Sequence, residues 1–276
     1  MTQIAAILTR SGAIQVELPD ADKELMRGVD WGAVDAFPSP AYWAFQVLAR
    51  RLSGTTLQYR LGRSLTEEVG ACLLGGHGIP ATVGLAAYER LRERGAFSGK
   101  PVIEPELEAW LREPLRIGER SVRYRFAAQK ARYLAAAIPL AYAAPAFRVG
   151  TELRDWLLAI PGVGPKTASW IARNWLNADD VAILDIHIMR VGQAVGLFPR
   201  HLTVERHYAE LERLFVDFAR ALDVRAAELD AVIWQEMATS PATVRYLVEH
   251  LRSVDDRAPR LGAHGKPTRQ GIPLAA

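Results

Sequence analysis

One cysteine, Cys72, is all that 276 residues contain. No intramolecular disulfide can form, and a cluster held by four thiolates is excluded on the same count. Cys72 stands in the apolar run Val69-Gly70-Ala71-Cys72-Leu73-Leu74 and reads as a small core residue. The six histidines, His77, His187, His201, His207, His250 and His264, make no ligand-spaced group with a carboxylate or the thiol, so no metal site is expected. Half of the residues are apolar, yet no run approaches the roughly 18 that a membrane helix needs, and no membrane partner is expected. Residues 1–18 lack a basic segment followed by an apolar core and a cleavage site, which argues against secretion. Charge of one sign is scarce too: 34 basic residues meet 31 acidic ones, a net charge of +3. That balance permits an anionic partner without demanding one, so the distribution decides. Internal repeats and heptads are absent, and strand signals nearly so beyond residue 18.

Helical periodicity fills the rest. Residues 1–18 show two short apolar runs around Thr9-Arg10-Ser11-Gly12, which suggests a small β-hairpin. Tyr42, Phe45, Gln46 and Ala49 share a helix face that ends near Ser53-Gly54. Further helices are expected over 65–74, with Ser64 as N-cap and Gly75-Gly76-His77-Gly78 closing it, and over 81–94, 105–111 and 122–138. Around the last of these lies the densest positive segment, with Arg112, Arg116, Arg120, Arg123, Arg125, Lys130 and Arg132 against Glu113 and Glu119. Two final helices, 204–222 and 226–239, carry inward stripes of Tyr208, Leu211, Phe215, Phe218 and Leu222, and of Leu229, Val232, Ile233 and Met237. Asp230 and Trp234, four apart, share a flank of the second. Residues 255–276, rich in Pro, Gly and Arg without periodicity, read as a mobile basic tail.

The most informative stretch is 152–196. Leu153, Trp156, Leu157 and Ile160 line one helix face, and Ala168, Ile171, Ala172 and Trp175 repeat the pattern. Between them Ile160-Pro161-Gly162-Val163-Gly164-Pro165-Lys166 is a sharp reversal. Its glycines allow positive φ and close approach, and Pro165 suits the first turn of a helix. Backbone N–H groups at the start of the second helix then form an anion site suited to phosphate, or simply a tight corner. Lys166, Trp170 and Asn174 fall together on the side away from the apolar stripe. Nineteen residues after Lys166, Asp185 follows an apolar run and opens another helix marked by Ile188, Val191, Gly192 and Val195, where an N-cap is its plainest role.

Together, residues 158–164, Lys166 and Leu184-Asp185-Ile186-His187 resemble the helix-hairpin-helix, glycine-proline-rich, aspartate (HhH-GPD) motif of the endonuclease III and 8-oxoguanine DNA glycosylase superfamily. The resemblance covers 150–198 most directly. It implies a mainly α fold of two helical domains flanking a DNA-binding cleft, with the helix-hairpin-helix at 152–176. One domain would be 61–197 and the other 20–60 plus 198–250, with 1–19 as a β-hairpin extension. It further implies base excision by a DNA glycosylase/AP lyase. Lys166 would be the nucleophile forming a Schiff base, and Asp185 the carboxylate that stabilises the cationic sugar. Gly162, Val163 and Gly164 would grip the DNA backbone with Arg190, and His187 would support the site by hydrogen bonding. Trp170, Asp230 and Trp234 are candidates for the base pocket.

The single cysteine rules out the iron–sulfur cluster of many endonuclease III relatives, so no cofactor is expected. Lysine in the motif and the missing cluster favour 8-oxoguanine as substrate. Oxidised pyrimidines, alkylated bases and a non-catalytic DNA-binding module are the alternatives. The expected partner is double-stranded DNA with a damaged base, bound by a monomer in the cytoplasm at the nucleoid. High alanine and arginine usage points to a bacterial source.

Overall fold

The computed structural model describes residues 1–54, 60–76 and 78–257. It opens with an antiparallel hairpin of β1 (Gln3–Thr9) and β2 (Gly12–Leu18), in which Ile7 pairs with Ile14 and Leu8 with Ala13. A two-stranded ribbon follows, β3 (Glu24–Met26) against β4 (Val29–Asp30). The helices then run α1 (Pro40–Leu52), α2 (Leu65–Leu74), α3 (Ala81–Glu93) and α4 (Glu104–Arg112). After a third hairpin, β5 (Leu115–Ile117) and β6 (Arg120–Val122), come α5 (Ala127–Tyr142), α6 (Gly150–Leu157), α7 (Pro165–Leu176) and α8 (Ile186–Ala194). The described chain ends with α9 (Val204–Ala221), α10 (Ala226–Thr239) and α11 (Pro241–Arg257). The fold is therefore mainly α with an N-terminal β-hairpin, as expected. No helix among the described residues is long and apolar enough to cross a membrane.

Local chemistry sets the boundaries. The Ser39 hydroxyl accepts the Tyr42 N–H at 3.0 Å and Pro40 fills the first turn of α1, while Ser64 caps α2 through the Glu67 N–H at 3.2 Å. Each cap is worth about 1 kcal/mol.

Two hydrophobic clusters hold the elements. The first runs from Val69 to Val181 and draws on α2 to α7. The second joins both ends of the chain, with Leu18, Val29, Trp43 and Val47 meeting Leu184, Ile188, Val191, Phe215, Phe218, Ile233 and Leu247. Burying each large apolar side chain contributes about 1.5–3 kcal/mol. The clusters divide between Val181 and Ala182, not after residue 197, so α8 packs with the chain ends. The apolar face of α8, Ile188 and Val191, meets α10 and α11, and this contact decides its side.

Three expectations need correcting. The helix expected over 122–138 starts at Ala127, because residues 115–122 form the β5–β6 hairpin, turned at Gly118 with φ +60°. Tyr124 is buried and its hydroxyl donates to the Leu74 carbonyl at 2.7 Å, which holds the chain off helical geometry just before α5. The β3–β4 ribbon is a further strand pair that no alternating pattern announced. Finally, α11 continues through residue 257, into the start of the expected tail. The remainder of that tail, 258–276, and His77 lie outside the described residues.

Candidate active site

The two helices α6 and α7 meet at the glycine turn. Gly162 has φ +84°, and a Cβ there would lie 2.4 Å from the Tyr133 ring of α5, so this position requires glycine twice over. Gly164 differs from expectation: its backbone is extended (φ −92°) and open space surrounds its Cβ position. Val163 also departs from a free phosphate donor, since its N–H donates to the Ile160 carbonyl at 3.1 Å and its side chain is buried. The Gly162 and Gly164 N–H groups have no acceptor among the described residues, and no side chain caps α7. The positive end of α7 is thus open, the arrangement that favours an anion.

Lys166, in the first turn of α7, is exposed and makes no ion pair among the described residues. The face it begins does not stay free. Trp170 is half-buried with its ring against Gly75, and Asn174 is buried, donating to Glu68 of α2 at 2.7 Å. The reason is α2, which packs along this side of α7. Lys130 reaches the same corner, 3.4 Å from the Gly75 carbonyl, and burial lowers its pKa.

Asp185 caps α8. Its Oδ1 accepts from the His187 N–H at 2.8 Å and the Ile188 N–H at 2.9 Å, while Oδ2 accepts no hydrogen bond among the described residues. The carboxylate is half-buried, so one oxygen anchors it and the other is available. His187 is half-buried with its Nδ1 enclosed and without a hydrogen-bond partner. Arg190, one turn on, is half-buried.

Behind these residues lies a set of buried charges, of which the sequence singles out only Asp230. Glu212 of α9, 3% exposed, accepts the Ser169 hydroxyl at 2.5 Å and the Ala182 N–H at 3.0 Å on Oε1, and Arg154 of α6 on Oε2. Burial raises its pKa, and the Ser169 hydroxyl, the Ala182 N–H and Arg154 oppose that rise. One turn earlier, the Tyr208 hydroxyl donates to the Ala182 carbonyl at 2.8 Å and accepts the Leu184 N–H at 3.3 Å. Arg173 of α7 pairs with Asp230 of α10 at 2.8 Å, both buried. Burial pushes the Asp230 pKa up to about 7; Arg173 pulls it down and the nearby charge of Asp185 raises it. A signal for Glu212 existed: it follows Tyr208 by four residues and precedes Phe215 by three, which sets an acid on an apolar stripe.

The structure therefore brings the surroundings of Lys166 and Asp185 together through Glu212. It places Asp230 beneath the Asp185 loop, paired to Arg173, while Trp234 of the same helix is 52% exposed. A cavity of about 750 Å³ at the start of α5 is lined by Arg112, Arg123, Arg125 and Gln129, and none of the motif residues borders it.

A glycine-turned helix pair with lysine opening its second helix and aspartate capping the next, on two helical cores, defines a glycosylase-type helix-hairpin-helix fold. The 8-oxoguanine DNA glycosylase of Methanocaldococcus jannaschii shares it, with a TM-score of 0.51 and 26% identity over 64% of this chain and 81% of that one. The chain belongs to the Ogg-HhH family, described as 8-oxoguanine DNA glycosylase, which matches residues 58–224. Two curated relatives carry the name 8-oxoguanine DNA glycosylase/AP lyase. That of Metallosphaera sedula is 34% identical over 122 residues, 42% of this chain and 59% of the relative. That of Methanocaldococcus jannaschii is 36% identical over 85 residues, 29% of this chain and 40% of the relative. The matched stretches thus span less than two thirds of either relative. Archaeal relatives give the expected bacterial source no support.

Proposed function

We propose that this chain is a bifunctional DNA glycosylase/AP lyase that removes 8-oxoguanine from double-stranded DNA. Family membership supports the class of reaction. The observation that carries the residue assignment is Lys166, exposed and without an ion pair among the described residues at the open end of α7, on a helix tied through Glu212 to the segment ahead of Asp185.

A damaged base leaves the stack before its glycosidic bond can be reached. The open N–H groups of the glycine turn grip a backbone phosphate without reading sequence. The unprotonated Lys166 amine then attacks C1′ of the deoxyribose as the C1′–N9 bond breaks, and the base leaves with the electron pair and takes up a proton. Asp185, through its free Oδ2, balances the positive charge that develops on the sugar and accepts the proton that Nζ gives up. The Nζ lone pair then opens the sugar ring to a protonated Schiff base, and O4′ leaves with its electron pair and takes up the proton held by Asp185. Loss of a C2′ proton expels the 3′ phosphate by β-elimination, and water releases the enzyme. Trp170 and Trp234 offer ring faces for the extruded base, with stacking worth on the order of 1–3 kcal/mol.

Borohydride trapping tests this on a duplex carrying 8-oxoguanine opposite cytosine. Wild type forms a covalent adduct and Lys166→Gln does not. An adduct on an abasic duplex alone would keep the lyase chemistry and move the base assignment to an oxidised pyrimidine or an alkylated base. No adduct on either duplex would leave a DNA-binding module.

A further inference from the structure

The reaction proposed above needs two groups from different cores to hold a common geometry. Lys166 belongs to α7 and hence to the first hydrophobic cluster; Asp185 follows Ala182 and Leu184, which belong to the second. Ser169 lies three residues after Lys166, and Ala182 three before Asp185. One oxygen of Glu212 accepts from both, at 2.5 Å and 3.0 Å. Its other oxygen takes Arg154, so α6, α7 and the segment ahead of Asp185 converge on a single buried carboxylate. Tyr208, one turn earlier on α9, grips the same segment at the Ala182 carbonyl and the Leu184 N–H.

We infer that Glu212, acting with Ser169 and Tyr208, is a positioning residue that sets the register between the Lys166 helix and the Asp185 segment. The inference rests on the assignment of Lys166 and Asp185 as the reacting pair. A buried carboxylate needs a counter-charge, which Arg154 supplies, and hydrogen bonds for its remaining lone pairs, which any nearby donors would satisfy. The added bonds to Ser169 and Ala182 are directional, short and shielded from water, and they run to the two chain segments whose relative placement the chemistry requires. Small displacements of reacting groups are expensive: a misplacement of about 1 Å can lower a rate on the order of a hundredfold.

The test separates rate from binding. Adduct formation is followed under single-turnover conditions with borohydride on the 8-oxoguanine duplex, and affinity is measured on a duplex carrying a tetrahydrofuran abasic analogue. Wild type is compared with Ser169→Ala, Glu212→Ala and Glu212→Gln. The two alanine variants trap about tenfold or more slowly per folded molecule, with affinity kept within about twofold. Glu212→Gln, which retains an oxygen for Ser169 and Ala182, recovers most of the rate. Alanine variants that trap as fast as wild type, with only a lower melting temperature, would overturn the inference, as would parallel loss of rate and affinity. Should Glu212→Ala fail to fold, Ser169→Ala decides alone, since it removes a single hydroxyl. Wild type that forms no adduct on the 8-oxoguanine duplex or on a natural abasic duplex overturns the Lys166 assignment and this inference with it. An active wild type with an indifferent Ser169→Ala overturns this inference only.

Discussion

Asp185 holds two jobs on separate oxygens: Oδ1 caps α8, and Oδ2 is free for the proposed chemistry. Substitution can part them. Asp185→Asn keeps an oxygen for the His187 and Ile188 N–H groups, so its melting temperature stays close to that of wild type while base excision falls by orders of magnitude. Asp185→Ala loses both and drops by a further ~1 kcal/mol of stability, read by denaturant unfolding. An active Asp185→Asn would reduce the residue to its cap. The turn ahead of Lys166 and the N-cap at Asp185 were legible in the sequence because glycine-rich reversals and capping residues leave strong local signatures. Glu212 and Arg173 were not singled out: the apolar stripe around Glu212 was its one signal, and a charged residue on a helix otherwise reads as a solvent-facing one unless its tertiary partner is known. Asn174 misled for the same reason: periodicity placed it on an open face, and Glu68 of a distant helix encloses it.

Among elements, the helices 226–239 and 65–74 were read to the residue, since apolar spacing there is closed by strong stops, whereas α5 was placed too early and α11 was not read at all. The β5–β6 hairpin escaped because its three-residue strands, each with one arginine, are too short for an alternating pattern to stand apart from a helix edge. The α6–α7 corner depends on one backbone position. Gly162→Ala forces a side chain into left-handed geometry and against the Tyr133 ring, which costs on the order of 1–3 kcal/mol for the backbone alone. Its expected signature is weaker binding to abasic-analogue DNA together with a lower melting temperature. Gly164→Ala, with extended backbone and open space, leaves stability within about 0.5 kcal/mol. Equal stability loss for both variants would contradict the turn geometry.

At the scale of the molecule, polar bridges span the two cores, and one of them responds to pH. Asp230 has a folded pKa of about 7 against an ordinary 3.8, so the folded state holds its proton more tightly than the unfolded chain. Its stabilising share is complete below about pH 4 and is lost as the pH rises through about 7. Asp230→Asn, neutral at every pH, removes that slope: thermal melts show a flatter dependence between about pH 4 and 7. An unchanged slope would mean that Asp230 is ionised across the range. The division into two cores could be placed only roughly from sequence, because the chain crosses between them inside an apolar run, at Val181 and Ala182, where no glycine or proline marks the passage. The bridges also give α7 the mechanics of a beam clamped at one end. Ser169, Arg173 and Asn174 fasten its later turns to three other helices, while its first turn projects uncapped. Such a beam hardly bends over one helical turn, about 5 Å. Reach toward a substrate therefore belongs to the four methylenes of Lys166, and substrates that stand at slightly different depths are met by rotation of that side chain with the backbone at rest.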